Sequence, residues 1–253
     1  MDIRNIVRVA VYTSITFIST VLLVVETPAT GGYFNLGEAS IYVISSLSTP
    51  MLAAVAAGLG PALADLVLGY WYFAPATLVI KFCEGYVASS LIRAVRRGSG
   101  KTINLVRLLT VLLGLVIAAT VYTMSLGAGG YGVEFGWTQA QVLSIPIPVP
   151  YIRVELHPIV WLVVGILTAL LSIVIATISR ARPTLLPMAV GGLVMVAGYF
   201  LYEYFISNPL ILGRPALGAL VEIPVNIGQF TVGMLIAYPV VQFIERATGG
   251  GGS

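Results

Sequence analysis

At 253 residues, 58% hydrophobic and only 9% charged, with a mean hydropathy of +0.99, the chain is too apolar for a water-soluble fold, in which about a quarter of residues carry charge. The single cysteine, Cys83, excludes an internal disulfide and a multi-cysteine metal site. The 13 basic residues outnumber the 10 acidic ones, but they are scattered around apolar segments rather than gathered into a stripe that would hold nucleic acid. What remains is an integral membrane protein.

The apolar runs approach the ~20 residues that a helix needs to cross a bilayer, and they lack the alternation of a lipid-facing barrel. They predict an all-α, polytopic transmembrane bundle with helices over 6–25, 38–47, 51–68, 75–95, 105–126, 158–179, 184–206 and 215–245. The first run has no cleavage signature and reads as a retained helix. The second helix is short, and the third is expected to be interrupted at Gly58-Leu59-Gly60-Pro61. The residues 249–253 read as a linker and are set aside.

Orientation follows from the basic residues. With both termini on the cytoplasmic side of the cell membrane, Arg4, Arg8, Arg93, Arg96, Arg97, Lys101, Arg107, Arg180, Arg182 and Arg246 face the cytoplasm, leaving only Arg153 and Arg214 outside. The segment 127–157 then falls outside as a lid or a long connection. Tyr70-Trp71-Tyr72-Phe73 reads as an interfacial aromatic belt in preference to a substrate cage, and His157, before Pro158, as a capping or surface histidine in preference to a ligand.

The same orientation places Glu38, Asp65, Lys81, Glu84, Glu203 and Glu222 in the outer half of the bundle. A membrane charge costs ~2.5–3.5 kcal/mol even on a lenient scale, so these groups must face a cavity or one another. Lys81 and Glu84, three apart, can neutralise each other, but one lysine is not expected to absorb Glu38, Asp65, Glu203 and Glu222 as well. Glu222, Asn226 and Gln229 recur at helical spacing and either orient a ligand or clamp two helices together. Tyr33, Phe34, Tyr199 and Tyr202 are candidates to stack on a flat ring. The excess of acids favours a neutral or cationic nitrogen heterocycle, pyrimidine-, thiamin- or flavin-like, over an anion. No P-loop, nucleophile elbow or His-Glu cluster is present, so neither an enzyme nor a metal or cofactor site is expected.

Several stretches, in order, carry a resemblance: Phe34-Asn-Leu-Gly-Glu-Ala-Ser40, Gly58-Leu-Gly-Pro-Ala-Leu-Ala-Asp65, Ala74-Pro-Ala-Thr77, Ile80-Lys-Phe-Cys-Glu-Gly85, Gly191-Gly-Leu-Val-Met-Val-Ala-Gly-Tyr-Phe200 and Pro224-Val-Asn-Ile-Gly-Gln229. Together they resemble the substrate-binding S components of energy-coupling factor transporters, in the riboflavin and hydroxymethylpyrimidine-type branch. The resemblance implies a six-helix core that binds a small vitamin or its precursor near the outer face. It also implies assembly with a transmembrane coupling subunit and two cytoplasmic ATPases, and toppling in the bilayer to release substrate. Ala10 and Ser14 form a small-xxx-small surface similar to the Ala-xxx-Ala surface through which the family meets its coupling subunit. The chain departs from the family in carrying Glu38 where an aspartate is usual. In this reading 1–101 and 182–248 are the two parts of the core, and 102–181 is an inserted helical pair with a long outer loop. The rival readings are a self-sufficient secondary transporter or channel, which needs a polar through-pathway, and an integral-membrane enzyme.

Overall fold

The computed structural model describes residues 3–27, 30–127, 131–136, 140–142, 145–147, 151–156, 158–179 and 182–248; His157 and Arg180 lie outside them. The chain begins with α1 (Ile3–Leu22), then a hairpin of β1 (Leu23–Thr27) and β2 (Gly32–Asn35), then α2 (Gly37–Leu47), α3 (Pro50–Leu68), α4 (Ala74–Arg97) and α5 (Gly100–Gly127). Four short strands follow, β3 (Tyr131–Gly136), β4 (Ala140–Val142), β5 (Ile145–Ile147) and β6 (Tyr151–Leu156). The chain ends with α6 (Pro158–Ile178), α7 (Leu185–Tyr202), a π-helical stretch Glu203–Ile211, a 3-10 turn Ala216–Val221 and α8 (Glu222–Ala247).

Six helical segments among the described residues are long and apolar enough to cross a membrane: Ile3–Leu22, Pro50–Leu68, Gly100–Leu126, Ile159–Ile178, Leu185–Ile211 and Ala216–Ala247. Helix α4 has 24 residues, a rise of about 36 Å, but Lys81, Glu84 and its terminal arginines lower its hydropathy. The lipid-facing character is plain on the outside, where Ile6, Val7, Val11 and Ile18 of α1 and Ile159, Val163 and Ile166 of α6 are exposed. Such a surface is stable only against acyl chains. The chain is a multi-pass membrane protein.

Three expectations need correction. The first helix ends at Leu22, because Leu23–Thr27, rich in the β-branched Val24, Val25 and Thr27, pairs with β2 as an antiparallel ladder. Helix α3 runs unbroken through Pro61; its glycines mark close packing, since a Cβ on Gly60 would fall 1.9 Å from Thr16 Oγ1 of α1. The stop comes later, at Gly69, whose φ of 91° and N–H bond to the Asp65 carbonyl form a left-handed cap. The third correction concerns the last two helices, which are not regular over 184–206 and 215–245: α7 widens into a π-helix at Glu203, and α8 starts only at Glu222.

One end of the bundle gathers arginines. Arg93 Nη2 donates to the Ser48 carbonyl and Arg96 Nη1 to the Ser46 carbonyl, each at 2.8 Å, so two of the carbonyls at the C-terminal end of α2 find donors. Arg96 also pairs with Glu245 of α8. Helices α2 and α3 both leave this basic end at the 48–50 turn, but α2 has 11 residues and α3 has 19. Their rises are about 16 and 28 Å, so α3 overhangs the start of α2 by about 12 Å. The β1–β2 hairpin and a cavity fill that overhang.

Backbone proximity between α2 and α8 depends on Gly233, where a Cβ would lie 2.4 Å from Glu38 Cβ and 3.0 Å from the Glu38 carbonyl carbon. Gly233→Leu is therefore expected to cost about 1–3 kcal/mol through overpacking and to lower the thermal midpoint in detergent. Gly228→Ala, on the same helix with nothing within 4 Å of the added Cβ, is the control. Equal midpoints for the two variants would contradict the packing described.

Candidate functional site

The cavity begins where two periodicities converge. On β2 the period of two sends Tyr33 and Asn35 to one face and Phe34 to the other, where it pairs across the ladder with Val25. On α8 the 4-3 spacing of Glu222, Asn226 and Gln229 puts all three on one side. Pro224 is accommodated because the first helical turn has no N–H bond to lose. Both faces line the same cavity of about 380 Å³, counting its open mouth. Pro61 and Asp65 of α3, Thr77 and Lys81 of α4, Phe73 just before α4, and Tyr199 and Glu203 complete the wall.

At the deep end Lys81 is the organising group. It is buried, bonded to Glu38 and, at 3.1 Å, to Glu84 Oε2, and lies 5.6 Å from the Tyr199 ring centroid. Tyr42 donates to Glu84 Oε1 at 2.9 Å, and Gln229 Nε2 donates to Glu38 Oε1 at 2.6 Å. Gln229 Oε1 in turn accepts the Asn35 backbone N–H at 2.9 Å, so the charged cluster reaches the hairpin through one amide. The expectation that pairing with Lys81 would not absorb Glu38, Asp65, Glu203 and Glu222 needs correction for Glu38 alone, which Lys81 takes up together with Glu84.

The side walls are acidic. Tyr33 donates its phenol to Asp65 Oδ1 at 2.6 Å and stacks against Tyr70 with centroids 4.7 Å apart. Tyr199 donates to Thr77 Oγ1 at 3.0 Å. Opposite, Glu222 Oε2 accepts the Thr30 hydroxyl at 2.7 Å, and Glu203 is buried beside it in the cavity lining. At the rim, burial raises the Glu26 carboxyl above the usual carboxylate range, opposed by the positive charge of Arg214. Tyr72 closes over the hairpin turn by donating to the Gly31 carbonyl at 3.0 Å.

Of the sequence candidates, Tyr33, Asp65, Lys81, Tyr199, Glu203, Glu222, Asn226 and Gln229 line the cavity. Glu38 and Glu84 stand behind it, holding Lys81. Phe34 does not line it, being on the wrong face of β2, and Tyr202 is directed elsewhere, donating to the Tyr72 carbonyl. The aromatic belt reading of 70–73 divides: Trp71 is 64% exposed, whereas Phe73 is buried in the cavity wall. Asn35 and Thr77 stood in the stretches that carry the family resemblance but were not singled out as site residues. Ala10 and Ser14 are both exposed on α1, with Ser14 Oγ bonded to the Ala10 carbonyl at 2.9 Å. No group of three or more potential metal ligands occurs among the described residues. The arrangement combines aromatic rings, carboxylates and amides around one concave polar space.

Comparison with known proteins bears mainly on residues 1–149. The family described as ECF-type riboflavin transporter, S component, matches residues 1–149, which carry the hairpin, α2, α3, α4 and α5. An "Uncharacterized protein in gap 3'region" of Pyrococcus woesei is 37% identical over 123 residues, covering 47% of this chain and 78% of that protein. No solved structure matches the chain. The chain belongs to the S component family, whose members are membrane substrate-binding subunits of energy-coupling factor transporters.

The Lys81 cluster has a measurable signature. Lys81→Met strands two buried carboxylates and is expected to cost about 3–5 kcal/mol. Adding Glu38→Gln and Glu84→Gln removes those charges and should recover most of the loss in thermal unfolding in detergent. Additive losses across the three substitutions would mean that the groups do not act as a unit.

Proposed function

We propose, from that membership, that the chain captures a small water-soluble vitamin or vitamin precursor from outside the cell and delivers it inward with a coupling subunit and ATPases. The observation that carries this reading is the polar cavity at the end of the bundle opposite the arginines, walled by Tyr33, Phe73 and Tyr199 and by Asp65, Glu203 and Glu222. The arginine-rich end, with Arg93, Arg96 and the pair to Glu245, fits a cytoplasmic face with both termini inside. None of the described residues of α5 or α6 lines the cavity, in keeping with a hairpin added beside the binding core.

A self-sufficient transporter needs a path through the bundle, yet the cavity ends at the Lys81 cluster, with Ile41, Tyr42, Ala88, Ile92 and Leu193 packed in the apolar core. An integral-membrane enzyme needs a group poised to react. Here Lys81 is held by two acids, and the remaining carboxylates suit recognition.

Purification in mild detergent followed by mass spectrometry of the released small molecules is expected to yield a bound heterocycle. Coupling is tested separately: Ala10→Leu with Ser14→Leu fills the exposed small-residue surface of α1, which close helix approach requires. This double variant should lose at least tenfold in cellular uptake while retaining ligand binding by the isolated subunit. Loss of binding in step with uptake would place the two residues in the fold of the subunit instead.

A further inference from the structure

Two buried carboxylate oxygens of the cavity wall lack a hydrogen-bond partner of ordinary geometry among the described residues. Asp65 is 2% exposed and Glu203 1%. Asp65 Oδ1 takes the Tyr33 phenol and the Thr77 hydroxyl stands beside the same carboxyl, but among the described residues Asp65 Oδ2 has no hydrogen-bond partner of ordinary geometry, and Glu203 Oε2 has none. Both residues line the cavity, from different elements: Asp65 from α3, Glu203 from the junction of α7 with its π-helix. A carboxylate can only accept, and an acceptor left unmatched in a low-dielectric interior costs far more than a solvated one. The cation nearest to hand is already engaged, since Lys81 is shared between Glu38 and Glu84. Glu222 adds a third acid and is likewise occupied through one oxygen, by Thr30.

We infer that Asp65 and Glu203 are the specificity-determining residues of the site, and that they select a flat nitrogen heterocycle presenting N–H donors, an exocyclic amino group or a protonated ring nitrogen, at two of its edges. This rests on the transport reading above and narrows its substrate class. Tyr33, Phe73 and Tyr199, in the same lining, supply the apolar surfaces for a planar ring. An amino group beside a protonated ring nitrogen offers a carboxylate two parallel charge-assisted bonds. The oxo counterpart keeps a ring N–H but puts a carbonyl oxygen where the amino donor stood, facing a carboxylate oxygen, a mismatch that a site built for hydrogen bonding rejects. Phosphorylated compounds meet three acids and no available cation among the lining residues.

The test is calorimetric titration of the full-length protein in detergent with matched probes, 4-aminopyrimidine against 4-pyrimidinone, and with thiamin against riboflavin and its 5'-phosphate. The amino member of the first pair should bind at least tenfold tighter than the oxo member, and thiamin tighter than either flavin. Asp65→Asn and Glu203→Gln should each weaken the amino probe at least tenfold and leave the oxo probe unchanged or improved. The matched pair on the unaltered protein needs no variant to fold. Equal or tighter binding of the oxo probe, or tight flavin binding untouched by both substitutions, overturns the specificity assignment and leaves the transport reading standing. If no heterocycle binds and none is retained on purification, the transport reading fails and this inference with it.

Discussion

A lysine at 2% exposure inside a membrane bundle is tolerable only if carboxylates come to meet it, and Lys81 obliges two segments to do so. Glu84 is supplied by its own helix. Glu38 must be brought from α2, which fixes the first turn of that helix against α4. Once Glu38 is there, Gly233 lets α8 close on its backbone, Gln229 bonds to its carboxylate, and Asn35 of the hairpin bonds to Gln229. The helix packing, the cavity base and the strand cover are thus tied to one buried charge.

The shape of the cavity follows from a difference in length. Because α2 rises only about 16 Å while α3 continues for about 28 Å, the upper part of α3 lacks a helical neighbour on that side. Asp65 sits on this overhang, about 8 Å further from the basic end than Glu38 by the same rise per residue. A polar pocket between aromatic walls results without any break in α3. The π-helical widening at Glu203 serves the opposite wall, where an extra residue in the turn sets a carboxyl facing Glu222.

Much of this was legible from apolar runs and from the depth of charged residues, because lipid imposes length and polarity more strictly than water does. The row Glu222, Asn226, Gln229 could be read from spacing alone. The link between Lys81 and Glu38 could not, since the partners are 43 residues apart and local rules see only Glu84. The hairpin was hidden because Leu23, Val24 and Val25 continue an apolar helical run, and four residues of β2 are too few for alternation to stand out. Phe34 was misplaced for the same reason: its aromatic character was visible, its register was not. At Pro61 the local helix-breaking signal was overruled by tight packing against α1.

Strand β1 has neighbours on both sides: the sheet order is β2-β1-β4-β5, with Leu23, Val24 and Val25 facing Val142, Gln141 and Ala140. The strand that roofs the pocket through β2 is therefore laced to the connection between α5 and α6. No bare edge of β1 is left to recruit a foreign strand. Raising the roof means unzipping one ladder or carrying the other along. A hairpin of two lipid-facing helices, none of whose described residues lines the pocket, is in this way tied to the strands that cover it.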